Sequence, residues 1–182
     1  MSDFTIHGVT AEAFPNLPDL GGDNAFHIDR SLMKDIINST VFAVAQSEAR
    51  PILTGELFMI ENRTLTVVAL DNFRLAIREE KNCVFDNDNR FSFVVPGKSL
   101  SELLKILKDT EESVSIFVTN KYVMFECEDF KMVTRLIEGA FLEYENYLPK
   151  NMKYETKVVK QEILEKTEQC EPVVQSSGGI LI

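Results

Sequence analysis

The stretch that decides the fold reads AVAQSEARPILTGEL at residues 43–57 and LTVVALDNFRLA at residues 65–76. Each segment is a strand-like block that is anchored by an arginine, Arg50 in the first and Arg74 in the second. Neither segment holds a nucleophile beside a base or a cluster of metal-ligating side chains. The stretch therefore predicts sheet structure and gives no indication of catalysis.

Three strands are predicted around this stretch, near Glu56–Glu61, Leu65–Leu70 and Arg74–Glu79. Asn62-Arg63 and Asp71-Asn72 are natural turns between them, because asparagine and aspartate favour tight turns. The three strands are therefore predicted to form a meander.

A strand and an amphipathic helix precede the meander. Phe26 and Ile28 alternate with polar neighbours, which is typical of a strand. Asp29 or Ser31 can cap a helix that starts at about Leu32. The apolar stripe of this helix is formed by Leu32, Met33, Ile36 and Ile37.

The same order of elements recurs in the second half of the chain. An alternating strand starts at Phe91, Pro96-Gly97 breaks it, and a leucine-striped helix runs from Leu100 to near Asp109. Three further strands are predicted at Val114–Val118, Tyr122–Glu126 and Lys131–Ile137. The predicted fold class is α+β: a duplicated strand–helix–three-strand unit, related by an approximate two-fold. Its two helices are expected side by side on one face of a curved, mostly antiparallel sheet.

Residues 25–149 are predicted to form one domain between two segments of different character. Residues 1–24 are interpreted as a linker and the tail of a preceding domain, because they contain many helix and strand breakers. Residues 150–182 are interpreted as the incomplete start of a following domain or as a disordered tail.

Shorter elements are predicted within and between these segments. Phe4–Ile6 and Thr156–Gln161 have the composition of strands, and a helix is expected to start at Glu162. Pro172 is expected to end that helix. Residues 86–89 read as an exposed loop between the two halves of the central domain.

Composition and charge exclude several classes of protein. The 182 residues are 45% hydrophobic and 26% charged, which is typical of a soluble globular protein. No apolar run approaches the ~20 residues that span a bilayer, and the N-terminus lacks the pattern of a signal peptide. We therefore expect a cytoplasmic protein with no membrane partner. The net charge of −10 argues against a simple electrostatic binder of nucleic acid.

The sequence offers no catalytic residues, no metal site and no cofactor site. The cysteines, Cys83, Cys127 and Cys170, match no metal or redox spacing and are predicted to be reduced thiols. No serine has a histidine at a suggestive spacing. Gly97-Lys98-Ser99 lacks the upstream glycine of a phosphate-binding loop. We therefore expect that the protein is not an enzyme.

Basic residues line the polar side of both predicted helices. Lys98, Lys105 and Lys108 fall at helical spacing opposite the leucine stripe of the second helix, and Lys34 has the same position on the first. The pattern fits an ordinary solvated helix face. It equally fits a phosphate-facing surface built from both helices, which the concentration of acidic residues on loops and strands favours.

Several ordered motifs between Phe14 and Pro149 resemble the bacterial DNA polymerase III beta subunit, the sliding clamp. They cover the central domain of that family together with flanking fragments. The motifs are Phe14-Pro15-Asn16-Leu17-Pro18, Arg50-Pro51-Ile52-Leu53-Thr54-Gly55, Val95-Pro96-Gly97-Lys98-Ser99-Leu100, the exit segment Arg135-Leu136-Ile137-Glu138-Gly139-Ala140-Phe141-Leu142-Glu143-Tyr144, and Leu148-Pro149.

The resemblance implies a DNA-clamp type of fold and a non-catalytic accessory subunit of DNA polymerase III. Such a processivity factor encircles duplex DNA as a homodimeric ring, and it tethers the polymerase and clamp-loader peptides in a pocket. A ring holds DNA by topology, so only its inner lining needs to be positive. The implied DNA-facing residues are Lys34, Lys98, Lys105 and Lys108.

The family's peptide-binding pocket can be carried over residue by residue. The wall that the central domain contributes is implied to consist of Arg50, Leu53, Leu70, Asn72, Phe73, Leu75 and Pro149. The family's usual Thr-Asp-Gly-His-Arg-Leu appears here as LDNFRL at residues 70–75. The added bulk at three lining positions is expected to narrow or reshape the pocket.

A second interpretation remains open. The chain covers the tail of a first domain, a whole second domain and the opening of a third, so it reads either as an excised piece or as a truncated paralogue. A truncated paralogue would act as a protein-interaction module that forms no ring.

Overall fold

The structure of the protein is a computed structural model that describes residues 3–5, 7–10, 24–83, 90–108, 112–149 and 153–177. It divides into two compact units, Met1–Leu142 and Glu143–Ile182. The predicted linker between residues 14 and 22 and the predicted loop at 86–89 lie outside the described residues. Phe4 and Thr5 are described and do not form a strand.

The elements of the first unit follow the predicted repeat. The first half contains β1 (Asn24–Asp29), α1 (Arg30–Asn38), β2 (Gly55–Glu61), β3 (Thr64–Leu70) and β4 (Leu75–Glu80). The second half contains β5 (Phe91–Pro96), α2 (Gly97–Ile106), β6 (Ser113–Val118), β7 (Tyr122–Glu126) and β8 (Lys131–Arg135). Short 3-10 turns at Val41–Ala43 and Pro51–Thr54 lie between α1 and β2. The predicted strand–helix–three-strand order therefore occurs twice.

The eight strands form two four-stranded sheets, whereas the sequence predicted one. Their orders are β1-β6-β7-β8 and β4-β3-β2-β5, and every pairing is antiparallel. The two sheets meet beyond the end of β8, where the Ile137 amide donates to the Val94 carbonyl at 3.0 Å. Each half gives its first strand to the sheet of the other half. This reciprocal exchange is consistent with the predicted internal two-fold.

Both helices and both sheets share one hydrophobic core. Met33 and Ile36 of α1 and Leu100 and Leu103 of α2 are fully buried in it. The strands contribute inward-facing residues at period two, because successive strand side chains point to opposite faces. The fully buried strand residues include Phe26, Ile28, Phe58, Ile60, Leu65, Val67, Val95, Val114, Ile116 and Val123.

Two local signals in the sequence set element boundaries as expected. The Asp29 carboxylate accepts a hydrogen bond from the Leu32 amide at 2.9 Å, so Asp29 is the N-cap and α1 starts at Arg30. Asn62 and Arg63 both have positive φ, of 50° and 61°. Positive φ at both central residues is what a two-residue hairpin between β2 and β3 requires.

A buried arginine joins the two halves at the start of α1. The side chain of Arg30 is 2% exposed, and its guanidinium lies 2.7 Å from the carboxylate of Glu112. The Arg30 amide also donates to the Glu112 carbonyl at 2.9 Å. The carboxylate of Glu112, just before β6, therefore compensates the positive charge of Arg30. Buried charges in proteins are generally paired in this way.

The second unit corrects two predictions of secondary structure. No strand forms at Thr156–Gln161; instead, α3 begins at Lys160 and continues past Pro172 to Ser177. A strand needs a neighbour for its backbone hydrogen bonds, and the described part of this unit contains none. A proline removes one helical hydrogen bond but does not have to end a helix. All described side chains from Lys153 to Pro172 are exposed.

Candidate functional site

The turn between β3 and β4 is held by the carboxylate of Asp71. Leu70 and Leu75 are direct cross-strand partners, and the Asp71 amide donates to the Arg74 carbonyl at 3.0 Å. The Asp71 carboxylate accepts from the Phe73 amide at 2.7 Å, from the Arg74 amide at 3.0 Å, and from Arg74 Nε at 3.1 Å. The hydrogen bond from Phe73 and those from Arg74 lower the pKa of Asp71. The turn with a local ion pair that the sequence indicated is therefore present.

This turn presents an aromatic ring to solvent. Phe73 is 94% exposed and Asn72 is exposed, because the hydrogen bonds of Asp71 fix the backbone and leave both side chains outside. The guanidinium carbon of Arg74 lies 6.0 Å from the centre of the Phe42 ring, which is itself 55% exposed. We call Phe42, Asn72, Phe73 and Arg74 the hairpin surface.

The segment between α1 and β2 supports the hairpin surface. Ala43 and Val44 pack with Ala69 of β3 and Ala76 of β4 in a small buried cluster that is separate from the main core. The Ala45 amide then donates to the Leu53 carbonyl at 2.9 Å, which connects the Pro51–Thr54 turn to this cluster. The motif that starts at Arg50 and the β3–β4 hairpin are thereby linked through a common support.

Gly55 at the end of that motif has a steric role. A Cβ atom at this position would lie 2.6 Å from the Val95 carbonyl oxygen and 2.8 Å from side-chain carbons of Val94 and Ile137. Only glycine allows β2 and β5 to approach so closely at this point.

The structure brings together some of the residues that the sequence assigned to a peptide-binding wall. Leu70 and Leu75 are adjacent, and Asn72 and Phe73 lie on the turn that joins their strands. Leu53 and Leu70 are only 3% and 6% exposed, so their side chains offer little surface to a ligand. The other assigned residues are Arg50, which is exposed at the start of the Pro51–Thr54 turn, and Pro149, which belongs to the second unit.

Phe42 is the residue that the sequence analysis missed. It is a large apolar residue in a short 3-10 turn, outside any periodic pattern. Its position immediately before the motif-rich stretch at residues 43–57 was the one available signal.

The lysines assigned to a DNA-facing surface lie on or next to the two helices, opposite their buried stripes. Lys34 is half-buried on α1, and Lys98 is exposed in the first turn of α2. Lys105 pairs with Glu102 at 2.7 Å, and Lys108 pairs with Asp129 at 2.7 Å. The hydrogen bond from Lys108 is the main cause of a lowered pKa of Asp129. The positive charges of Lys105 and Lys108 are thus locally balanced.

The described residues show no arrangement suited to metal chemistry. None of the His, Cys, Asp and Glu side chains among them forms a group of three or more that could hold a metal ion. All three cysteines are described and are free thiols, of which Cys83 and Cys127 are buried. In the same part of the chain, no helix has the length and apolar character needed to cross a membrane.

Comparison with known proteins identifies relatives that match most of this chain. A family model described as the DNA polymerase III beta subunit, central domain, matches residues 27–143. The beta sliding clamp of Halalkalibacterium halodurans is 42% identical over 156 residues, which are 84% of this chain and 40% of that protein. The beta sliding clamp of Bacillus subtilis is 37% identical over 164 residues, 90% of this chain and 43% of that protein.

A solved structure gives the same result. The crystal structure of the DNA polymerase sliding clamp from Bacillus subtilis matches with a TM-score of 0.84 and 36% identity, over 89% of this chain and 42% of that chain. The chain thus spans less than half the length of these relatives. The matches confirm the resemblance and the α+β fold class that the sequence predicted.

Proposed function

Because the chain belongs to the family of DNA polymerase III beta subunits, we propose that it forms part of a processivity factor that encircles duplex DNA. The match to the central domain across residues 27–143 is the observation that carries this proposal. In the proposed ring, two copies of the full protein close around DNA. The ring tethers the replicative polymerase and other partners without performing catalysis or holding a cofactor. The proposed location is the cytoplasm, where the bacterial chromosome is replicated.

The two helices are proposed to face the DNA. They lie together against one core, so their exposed sides can form a continuous surface. Lys34, Lys98, Lys105 and Lys108 belong to this surface, and the salt bridges of Lys105 and Lys108 are exposed and worth little free energy. A phosphate can therefore replace Glu102 or Asp129 as the partner of the ammonium group. A ring needs only weak contacts of this kind, because topology prevents dissociation.

The hairpin surface is proposed to bind partner peptides. Exposed Phe42 and Phe73 offer apolar area, and Arg74 between them can orient a peptide carboxylate or carbonyl. Aromatic and arginine side chains are the residues that most often dominate binding energy at interfaces. In this proposal Arg50, Leu53, Leu70 and Leu75 of the same unit complete the site.

A non-ring interaction module is the alternative function. The net charge of −10 and the acidic partners of Lys105 and Lys108 are the observations that favour it. This alternative uses the same hairpin surface, so peptide binding does not distinguish the two proposals. Contact with DNA does distinguish them.

We expect the isolated chain to bind duplex DNA with a Kd above about 100 µM at physiological salt, because four lysines contribute few phosphate contacts. At low salt, the binding should be measurable by fluorescence anisotropy. Replacing Lys98 by glutamine should then reduce the dependence of log K on log salt by about one unit.

The matched control for this measurement is Lys121→Gln, because Lys121 is exposed on the turn between β6 and β7. It should leave the salt dependence unchanged. Equal effects of the two substitutions would contradict the assignment of the helix face to DNA. A sub-micromolar and salt-resistant affinity of the isolated chain would contradict the proposed dependence on encirclement.

A further inference from the structure

A glutamate lies inside the protein where β2 begins. Glu56 is 0% exposed, and it faces the same side of the strand as Phe58 and Ile60, which belong to the main core. An isolated ionised carboxylate is very costly to bury, so such a group must be paired or neutral.

The hydroxyl of Thr40, at the end of α1, is hydrogen-bonded to this carboxyl. Thr40 Oγ1 lies 2.8 Å from Glu56 Oε2, 3.0 Å from the Ile36 carbonyl oxygen and 3.3 Å from the Ile37 carbonyl oxygen. A hydroxyl has one proton and therefore cannot donate to all three oxygens. If Glu56 is protonated, its O–H can donate to Thr40, and Thr40 can donate to Ile36. The geometry is therefore better satisfied by the neutral acid.

The second carboxyl oxygen supports the same conclusion. Glu56 Oε1 is buried and has no hydrogen-bond partner among the described residues. The neutral acid can tolerate one unpartnered carbonyl-type oxygen, whereas an ionised carboxylate would place part of a full charge there.

No cation of the described residues compensates Glu56. Burial raises its pKa to about 8, the hydrogen bond from Thr40 opposes this shift, and no charged group contributes to it. The 3-10 turns at Val41–Ala43 and Pro51–Thr54, as well as β3 and β5, carry no ionisable side chain. The charged residues on the other elements packed around it are Arg30, Lys34 and Asp35 of α1, Glu61 of β2, and Lys98, Glu102 and Lys105 of α2.

We propose that Glu56 and Thr40 form a proton-operated clasp that closes the loop between α1 and β2. When Glu56 is protonated, its hydrogen bond to Thr40 holds together the two ends of the loop at residues 41–55. When Glu56 loses its proton to the solvent, the carboxylate draws in water, and the base of the loop loosens. This loop carries Phe42, Arg50 and Leu53, but the clasp does not depend on what these residues bind.

The expected pH dependence has a definite sign. An unfolded glutamate titrates near 4.5, whereas Glu56 in the folded protein titrates near 8, so the folded state holds one more proton between these values. The contribution of Glu56 to stability is therefore fully present below pH 4.5, is lost as the pH rises towards about 8 and changes no further above that value. One proton corresponds to a tenfold change in the folding equilibrium constant per pH unit.

The decisive variant is Glu56→Gln, because an amide can donate to Thr40 as the neutral acid does and cannot ionise. We expect the folding constant of the unmodified protein, relative to that of the variant, to fall about tenfold per pH unit from pH 5.5 to 7.5 in urea unfolding. Glu48→Gln is the control, since Glu48 is exposed in the same loop; it should follow the unmodified protein. Parallel profiles of the unmodified protein and Glu56→Gln would overturn the proposal.

Two further measurements test the proposal: a carbon-13 titration, which needs no variant and stays decisive if Glu56→Gln folds poorly, and hydrogen exchange, which applies when the variant folds. In the unmodified protein, a carbon-13 spectrum should contain one glutamate carboxyl that titrates near pH 8; titration of every glutamate near its ordinary pKa would overturn the proposal. Hydrogen exchange tests the loop directly. The Ala43 amide donates to the Thr40 carbonyl at the start of the loop, and the Ala45 amide donates to the Leu53 carbonyl near its end. At pH 9 both amides should exchange faster in the unmodified protein than in Glu56→Gln, and at pH 6 they should exchange at the same rate in both proteins. The same rate in both proteins at both pH values would exclude a clasp.

Discussion

Replacing Phe58 by alanine is expected to lower the free energy of unfolding by about 3–5 kcal/mol. Phe58 is 0% exposed, and its ring stacks on Phe93 with 5.4 Å between the ring centres. It lies on β2, at the centre of the core that both helices and both sheets share. The substitution leaves a cavity that these rigid elements cannot fill, so both the lost burial and the cavity contribute.

Phe73→Ala is the matched control for this measurement. The same atoms are removed, but the ring is 94% exposed, so we expect a change within about 0.5 kcal/mol. Chemical denaturation of both variants gives the comparison. Similar losses for the two substitutions would contradict the assignment of β2 to the core face and of the β3–β4 turn to the surface.

The helices and strands of the central domain could be predicted from the sequence because local signals agreed with the periodic pattern. Asp29 had the right position for a cap, and the Asn62-Arg63 pair marked a two-residue turn. Both predictions depend on interactions within a few residues, which a single sequence shows directly. The repeated order of elements then indicated the internal two-fold.

The division into two sheets depends on contacts that the sequence does not show. Just after β8 the Ile137 amide donates to Val94 of β5, yet β8 and β5 belong to different sheets among the described strands. Whether two neighbouring strands pair or separate is decided by twist and packing over the whole domain. Pro172 likewise lies inside α3 and does not end it, since one missing hydrogen bond does not have to terminate a helix.

The sequence predicted part of the geometry around the β3–β4 turn, whereas its role in peptide binding stays a prediction. The residues of the β3–β4 turn were correctly placed next to each other, because a hairpin is local. The contribution of Phe42 was missed, since it reaches Arg74 only through the packing of Ala43 and Val44 on β3 and β4. Glu56 could have been noticed, because period two puts it on the same face as Phe58.

Replacing Phe73 by alanine is also expected to weaken the binding of partner peptides by at least about tenfold. A ring of this size that becomes buried at the centre of an interface commonly contributes about 2 kcal/mol or more. The free protein should lose little stability, since Phe73 makes few contacts within it. The measurement is a calorimetric titration of the protein, expressed from its own gene, with peptides from the replicative polymerase of the same organism.

Phe4→Ala is the control for peptide binding, because Phe4 is also an exposed phenylalanine, at 88%. It should leave the peptide affinity unchanged. If Phe73→Ala bound the peptide as tightly as the unmodified protein, the hairpin surface would not be the peptide-binding site.

Retention on circular DNA distinguishes the proposed encirclement from electrostatic binding. The protein expressed from its own gene is loaded onto circular duplex DNA by the clamp loader of the same organism, and half of the sample is then cut once with a restriction enzyme. We expect retention on the circle, at a salt concentration that abolishes binding by the isolated chain, and rapid loss from the linear DNA through its ends. Equal loss from circular and linear DNA would contradict encirclement and would favour the non-ring interaction module.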